Sequence, residues 1–392
     1  MTTAQRSEPI TVSSPFLGTA TGERPRLESI DLIRGLVMVF MALDHTKHNF
    51  LNENFNAMDP DVTTLGAYFT RWITHYCAPT FCFLMGTGAY LAGRRGKTTL
   101  ELFWFLFSRG IWLLILEFTI VKLGMFFKYD MTEWAGVVYW SLGCCLIFLS
   151  LLVFLPPRVV GAIGVVMILT HNLFDGVKSD VFGPFRPIWV ILHEGGAIQL
   201  TDNVKFVAAY PLVPWIGVVA AGYGFGTIYG IDPRRRRKIT VMLGLALTIG
   251  FVVLRWINIY GDPFPWTPRA TPLQTVMSFF NTHKYPPSLL FLMMTLGPAL
   301  LGLAFVERFP PHDALGRVLR TFGRVPLFYW VLHWFVIGFL ARGVALYRGN
   351  SHFQLPMVYF WVFVVLCILY LPCRWFEGVK TRNKDVWWLS YL

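Results

Sequence analysis

The sequence predicts an all-α, polytopic membrane protein with about ten transmembrane helices and both termini in the cytoplasm. Of its 392 residues, 55% are apolar and only 14% are charged, whereas a soluble domain has roughly 45–50% apolar and about 25% charged residues. A soluble chain could not bury so much apolar surface, which excludes a soluble enzyme, a disordered chain and a fibrous protein. Apolar stretches near the bilayer-crossing length of about 20 residues recur along the chain, and Lys and Arg collect between alternate stretches.

Ten apolar stretches are predicted to span the membrane, and the fifth is the shortest. They cover residues 29–50, 68–93, 101–123, 136–155, 158–173, 207–230, 238–258, 285–306, 322–345 and 355–376. Together they define a transmembrane domain over 26–376. Residues 1–25 are polar, contain proline and lack an apolar core, so they are predicted to be a disordered cytoplasmic tail without a cleavable signal. Residues 377–392 are predicted to form a second cytoplasmic tail.

The basic residues set the predicted orientation. With the N-terminus inside, most of the 34 lysines and arginines fall in cytoplasmic loops, and Arg234 to Lys238 is the densest group. The net charge of +12 therefore reflects topology, and a nucleic-acid partner is not expected. The six cysteines lie in or beside apolar runs without metal-ligand spacing, so neither disulfides nor a bound metal are expected.

Histidines concentrate at one predicted face of the membrane. Seven of the nine lie at or beyond the outer ends of spans, His333 lies within a span, and His312 is cytoplasmic. Since histidine can take and give a proton near neutral pH, this placement favours chemistry or proton handling at the outer face. The alternative is that histidines are simply tolerated at the interface. The outer set is His45, His48, His75, His171, His193, His283 and His352.

The first helix carries the most informative constellation. Arg34 and His45 are 11 residues apart, which places both side chains on one helix face with a rise of about 16 Å between them. Asp44 points about 100° away from His45 and so is not expected to orient that imidazole directly. An ionisable residue inside a span usually faces the bundle interior or a wet cavity. The structural alternatives are an Arg34–Asp31 ion pair and a His45 hydrogen bond between helices.

Several further polar residues are candidates, each with a structural alternative. Glu117 could orient a base or pair with Lys122. His193 lies with Glu194 in the long loop 174–206, where loops often carry binding function. The remaining candidates are His75, which opens the second span just before Ala78-Pro79, Lys284 and Tyr285 before two prolines, and His333 between Trp330 and Trp334.

Four segments and the opening Arg-Gly-Leu at 34–36 carry a resemblance to a known family. The segments are Thr74–Gly86 (THYCAPTFCFLMG), Tyr210–Gly217 (YPLVPWIG), Lys284–Phe291 (KYPPSLLF) and Phe322–His333 (FGRVPLFYWVLH). Over residues 26–375 the sequence resembles integral-membrane acyltransferases, in particular bacterial relatives of heparan-alpha-glucosaminide N-acetyltransferase. The resemblance implies a multi-pass transmembrane acyltransferase domain in the bacterial inner membrane. It also implies transfer of an acetyl or other acyl group from acetyl-CoA (acyl-CoA) to a sugar amine or hydroxyl.

One departure from the family leaves the residue roles to be inferred from the Arg34–His45 stripe and the distribution of charge. The lysosomal member has its catalytic histidine in the loop after its first helix, but residues 51–70 contain none, so several histidines compete. We expect acyl-CoA phosphates at the inner arginines and the thioester near His45, which acts as general base or carries the acyl group transiently. The expected residues are His45, His75 and Asp44 for catalysis; Arg34, Arg109, Arg324 and His333 for the cofactor; and His48, Glu117, His193, Lys284 and Tyr285 for the acceptor.

The expected partners are acyl-CoA, a carbohydrate or glycolipid acceptor and the lipid bilayer, with a homodimer as an option. The competing hypothesis is a proton-coupled transporter or flippase of a polar or sugar-linked substrate, which buried Arg and His would also suit. Against it, no pair of matching Gly/Pro-broken segments occurs in two halves of the chain. A non-catalytic membrane scaffold is a third reading. Acetyl-CoA binding separates the enzyme from the other two.

Overall fold

A computed structural model describes residues 27–51, 55–383 and 385–391; the predicted tail 1–25 lies outside them. Helices dominate the described part of the chain. They are α1 (Glu28–Phe50), α2 (Leu65–Thr74), α3 (Cys77–Gly93), α4 (Thr99–Leu116), α5 (Lys122–Phe126), α6 (Val138–Leu152), α7 (Pro157–Thr170), α8 (Arg186–Trp189), α9 (Leu212–Phe225), α10 (Pro233–Ile257), α11 (Pro272–Phe280), α12 (Leu289–Arg308), α13 (Ala314–Arg324), α14 (Pro326–Arg348) and α15 (Leu355–Arg382). The predicted all-α class is confirmed.

Seven helical segments among the described residues are long and apolar enough to cross a membrane. They are Thr99–Phe126, Pro157–Phe174, Leu212–Gly230, Pro233–Ile257, Leu289–Arg308, Pro326–Arg348 and Leu355–Arg382. This confirms a polytopic membrane fold, and each of the ten predicted stretches contains a helix. α1 falls outside the seven because it carries five charged residues between Glu28 and Lys47. The number of ten spans and the position of the termini remain predictions.

The helix boundaries differ from several of the predicted span ends, notably in the second and the last span. The second predicted span is two helices, because the chain turns between Thr74 and Cys77 ahead of Pro79. The last helix continues to Arg382, so part of the predicted tail 377–392 is helical. Two π-helical turns, Glu117–Val121 and Val190–Glu194, each add an extra residue to a helical turn, a feature frequent at functional sites.

A small sheet was not predicted. Its strands are β1 (Glu133–Gly136), β2 (Gly196–Thr201) and β3 (Val204–Ala208), in the order β1-β3-β2. β2 and β3 form an antiparallel hairpin, and β1 pairs parallel to β3. A membrane-spanning strand needs about 9–11 residues, so these strands of four to six residues form a structure of the loops.

Close helix contact fixes the position of α1. A Cβ on Gly35 would lie 1.9 Å from the carbonyl oxygen of Leu319 in α13, and one on Gly323 would lie 1.8 Å from the carbonyl oxygen of Asp31. Small residues let membrane helices approach in this way. The contact brings the Arg34 side chain to α13, where its Nη1 donates to the Gly323 carbonyl at 3.1 Å.

Gly35→Ala is therefore expected to destabilise the protein by about 1–3 kcal/mol, because the added methyl group forces two backbones apart. Thermal unfolding in detergent, followed by tryptophan fluorescence, measures the effect. Gly343→Ala in α14 is the matched control, since a Cβ there meets nothing within 4 Å. Equal melting temperatures for the two variants would contradict the packing described here.

Candidate active site: two cavities that meet at Tyr139 and Trp330

The larger cavity, here called the inner cavity, has a volume of about 790 Å³ and is lined mainly by α1, α3, α4, α6 and α14. Its walls are mostly apolar, but among the described residues seven cationic side chains line it together with a single carboxylate, Asp31. They are Arg34, Arg94, Arg95, Lys97, Arg109, Arg324 and Lys380. A cavity with this lining can hold a long, partly apolar molecule that ends in several phosphates.

Contacts with neighbouring side chains hold the three predicted arginines of the inner cavity in place. Arg34 Nη1 lies 3.6 Å from Asp31 Oδ1, and this is the ion pair that the sequence analysis gave as an alternative. Arg324 contacts Glu377 at 2.5 Å and Asp31 at 3.8 Å. The Arg109 guanidinium lies over the Phe105 ring, 3.9 Å from its centroid. The three arginines predicted to bind the cofactor thus line one cavity.

A second cavity, here called the outer cavity, has a volume of about 430 Å³ and contains His45 in its wall. Asp44, Glu117, Glu194 and Tyr285 also line it, with the ends of β2 and β3. Tyr139 and Trp330 line both cavities.

The partition between the cavities includes two aromatic side chains in contact. The rings of Tyr139 and Trp330 have centroids 4.6 Å apart, and the two residues are 2% and 7% exposed. The Tyr139 hydroxyl is buried and has no hydrogen-bond partner among the described residues. A buried donor without a partner is unfavourable, so this hydroxyl is available to a group that reaches the partition.

His45 belongs to a chain of two imidazoles. Its Nδ1 lies 2.6 Å from Nε2 of His333, and His333 Nδ1 contacts the carbonyl oxygen of Trp330. A carbonyl only accepts, so His333 Nδ1 carries the proton, and the Nε2 of a neutral His333 is an acceptor. His45 Nδ1 then donates to it, which leaves His45 Nε2 as a proton acceptor. The His45 ring is also stacked on Trp334, with centroids 4.0 Å apart.

Comparison with protein families gives a match to "Heparan-alpha-glucosaminide N-acetyltransferase, catalytic" over residues 26–254, more than half of the chain. The chain belongs to this family. It is accordingly an acyltransferase-type membrane protein. Comparison with curated proteins finds no match.

The family match covers α1 to most of α10 and so includes Arg34, His45, Arg109 and Tyr139. Other residues of the site come from beyond the matched region. Arg324 of α13 and Trp330 and His333 of α14 reach it because both helices pack against α1.

Asp44 does not orient His45, as its angular position on the helix predicts. Its Oδ1 accepts from Arg71 Nη1 and from Thr74 Oγ1, the latter at 3.0 Å. Sequence reasoning missed Arg71, which lies 27 residues away with no motif around it. Asp44 thus stands in the wall of the outer cavity beside His45 with its charge matched by Arg71.

Glu117 positions a helix. Its carboxylate accepts from the backbone N–H groups of Tyr139 at 2.7 Å and Trp140 at 3.0 Å, and so caps the start of α6. The pairing with Lys122 weighed from the sequence is not what the structure has, since Lys122 Nζ donates to the carbonyls of Asp130 and Glu133. Glu117 thereby fixes Tyr139 at the partition.

The segment after His193 forms part of the outer wall. Gly195 and Gly196 have φ of 78° and 109°, values that favour glycine, and both line the outer cavity with Glu194. Burial acts to raise the pKa of Glu194, but the Ser179 N–H, which donates to it, and the nearby Lys178 and Arg186 hold the pKa below its ordinary value. Glu194 is therefore ionised at neutral pH.

The other predicted residues lie elsewhere. His75 is buried against Phe291, His48 is exposed, and neither lines the two cavities. His193 and Lys284 do not line either cavity.

Tyr285 lines the outer cavity, and its hydroxyl lies 3.2 Å from that of Tyr210. His333 lies behind His45 and is fully buried. The geometry thus favours His45 over His48 and His75 as the reacting histidine.

Proposed function

We propose that the protein transfers an acyl group, in the first instance acetyl, from cytoplasmic acyl-CoA to an amine or hydroxyl of a glycan-type acceptor. The acceptor enters from the outer side of a bacterial inner membrane, and His45 is the general base. The observation that carries the proposal is the meeting of a cation-lined cavity and a histidine-containing cavity at Tyr139 and Trp330. Membership of the acyltransferase family supports the reaction type.

The inner cavity would hold the donor. Phosphates of CoA are matched by guanidinium groups, which bind them with short, charge-assisted hydrogen bonds. Arg34, Arg109 and Arg324 provide such groups, while the apolar walls suit the thin arm that ends in the thioester. Arg34 and His45 are about 16 Å apart along α1, and this arm would extend along the helix from the first residue toward the second.

The chemistry follows from the groups at the partition. His45 Nε2 removes a proton from the acceptor amine or hydroxyl as that group attacks the thioester carbonyl carbon. The Tyr139 hydroxyl donates to the oxyanion of the tetrahedral intermediate. As the intermediate collapses, the C–S bond breaks and the His45 imidazolium returns its proton to the CoA sulfur. His333 and the Trp330 carbonyl hold the tautomer of His45 throughout.

A transient acyl-histidine is the other route to the same products. Incubation of the purified protein with acetyl-CoA but no acceptor, followed by intact-protein mass spectrometry, separates the two routes. Direct transfer predicts an unmodified chain, and an added acetyl group on His45 would reverse that assignment.

The proposal is tested first by donor binding. The purified protein in nanodiscs is expected to bind acetyl-CoA in calorimetry, and to bind acetyl-pantetheine, which lacks the nucleotide phosphates, at least about tenfold more weakly, given about 1.5–3 kcal/mol for a hydrogen bond to a charged group. A carrier or a scaffold is expected to bind neither compound. Absence of acetyl-CoA binding by folded protein, or equal binding of the two compounds, would contradict the assignment of the inner cavity.

A further inference from the structure

A second cluster of ionisable side chains lies apart from the two cavities, at the end of α7. His171 follows the last residue of α7, Asp175 comes one helical turn later, and His193 lies in the π-helical turn 190–194. One ligand atom from each of the three lies within 4.8 Å of the others. None of the three lines either cavity, so the proposed acyl transfer makes no use of them.

His171 is the residue that calls for an explanation. It is 2% exposed, and neither of its ring nitrogens has a hydrogen-bond partner among the described residues. An imidazole buried in this way lacks a partner for one donor and one acceptor, which is rare in folded proteins. Its ring lies 5.9 Å from that of His193, so the unpartnered nitrogens sit beside the other two ligands.

The neighbours of the cluster have the arrangement that supports metal ligands. His193 Nε2 donates to the His171 carbonyl at 2.9 Å and lies 4.0 Å from Asp175 Oδ1, so Nδ1 is the acceptor of a neutral His193 and would reach the ion once the ring turns over. Asn172 Nδ2 donates to Asp175 Oδ2 at 2.8 Å, so Oδ1 of Asp175 remains for a ligand. Histidine ligands usually donate their second nitrogen to a carbonyl, and ligating carboxylates are themselves hydrogen-bonded.

We propose that His171, Asp175 and His193 bind one divalent transition-metal ion of the Zn²⁺ type. Two imidazoles and one carboxylate are a common ligand set for this ion, with water at the fourth position. Ligand atoms around tetrahedral zinc lie about 3.4 Å apart, given bonds of about 2.1 Å, so side-chain rotations, including that of the His193 ring, are needed to close the cluster. The Asp175 side chain, 22% exposed, gives the ion a route from solvent.

The bound ion would hold the wall of the outer cavity. It joins the end of α7 to the π-helical turn that contains Glu194 and leads into Gly195 and Gly196, and these three residues line that cavity. Asn172 extends the connection, because its Oδ1 accepts from the backbone N–H of Leu289 at the start of α12. The ion thus acts as a structural clamp and takes no part in the reaction. The proposal departs from the prediction that no metal binds, which rested on the absence of cysteine and histidine ligand spacing; the two histidines of this cluster are 22 residues apart across a loop.

Metal content tests the proposal without any activity assay. Protein purified without a histidine tag, treated with chelator and then titrated with Zn²⁺ is expected to bind one ion per chain, and to melt at a higher temperature with the ion than without it. Co²⁺ in place of Zn²⁺ is expected to give the visible absorption of a tetrahedral site. Asp175→Asn and His171→Ala are expected to weaken binding at least tenfold and to abolish the thermal response.

His352→Ala is the control, since this histidine is exposed and lies outside the cluster, and it is expected to bind as the unchanged protein does. Should either cluster variant fail to fold, the thermal response and Co²⁺ spectrum of the unchanged protein still decide. Absence of stoichiometric Zn²⁺ binding by the unchanged protein would overturn the proposal. So would full binding by a folded His171→Ala variant, or loss of binding in His352→Ala.

Discussion

His45→Ala is expected to lower the rate of acyl transfer by about 10²–10⁴-fold, the range typical of a lost general base. The affinity for acetyl-CoA is expected to change little, because the donor phosphates are bound at the other end of the site. Transfer from labelled acetyl-CoA by protein in proteoliposomes measures the rate, and calorimetry measures the affinity.

Two further variants make this test specific. His352→Ala changes an exposed histidine and is expected to retain the full rate. His333→Gln keeps a polar side chain behind His45 but loses the fixed tautomer, so we expect a smaller loss and a shifted pH–rate profile. Full transfer by a folded His45→Ala variant would exclude this residue as the base.

Arg109→Gln is expected to raise the KM for acetyl-CoA by about 10-fold or more, since a hydrogen bond to a charged group contributes about 1.5–3 kcal/mol. The kcat is expected to change much less, because the guanidinium lies in the inner cavity, away from His45. Steady-state kinetics at varied acetyl-CoA concentration separates the two constants.

Arg308→Gln is the matched control. Like Arg109, Arg308 has its guanidinium over a phenylalanine ring, but it does not line the inner cavity. The Arg308 variant is expected to keep the KM of the original protein. With acetyl-pantetheine as the donor, the Arg109 variant and the original protein are expected to have the same KM. Equal effects of the two substitutions would mean that general surface charge, and not a phosphate contact, sets the KM.

The sequence alone predicted the positions of the helices and one helix face of the site, the face that carries Arg34 and His45. Apolar length located a helix in every predicted span, because the bilayer demands internally hydrogen-bonded backbone. The 11-residue spacing placed Arg34 and His45 on one face, and each lines one of the two cavities. The hairpin of β2 and β3 was missed, although Asp202 and Asn203 mark its turn between alternating residues.

The contacts that complete the site had no local signal. His45 and His333 are 288 residues apart, and their approach depends on how α14 packs against α1. Asp44 and Arg71 meet for the same kind of reason, and Tyr139 gained its place only through Glu117. Such pairs come from tertiary packing, which periodicity along a single chain does not specify.

The thin partition has a consequence for the cell's energy supply. In the proposed orientation, water from opposite sides of the membrane approaches Tyr139 and Trp330 from either direction. A continuous water column there would conduct protons and run down the electrochemical gradient that the membrane maintains. With two contacting rings in this place, the acyl group can be delivered from one side and received by the acceptor on the other while the membrane remains electrically sealed.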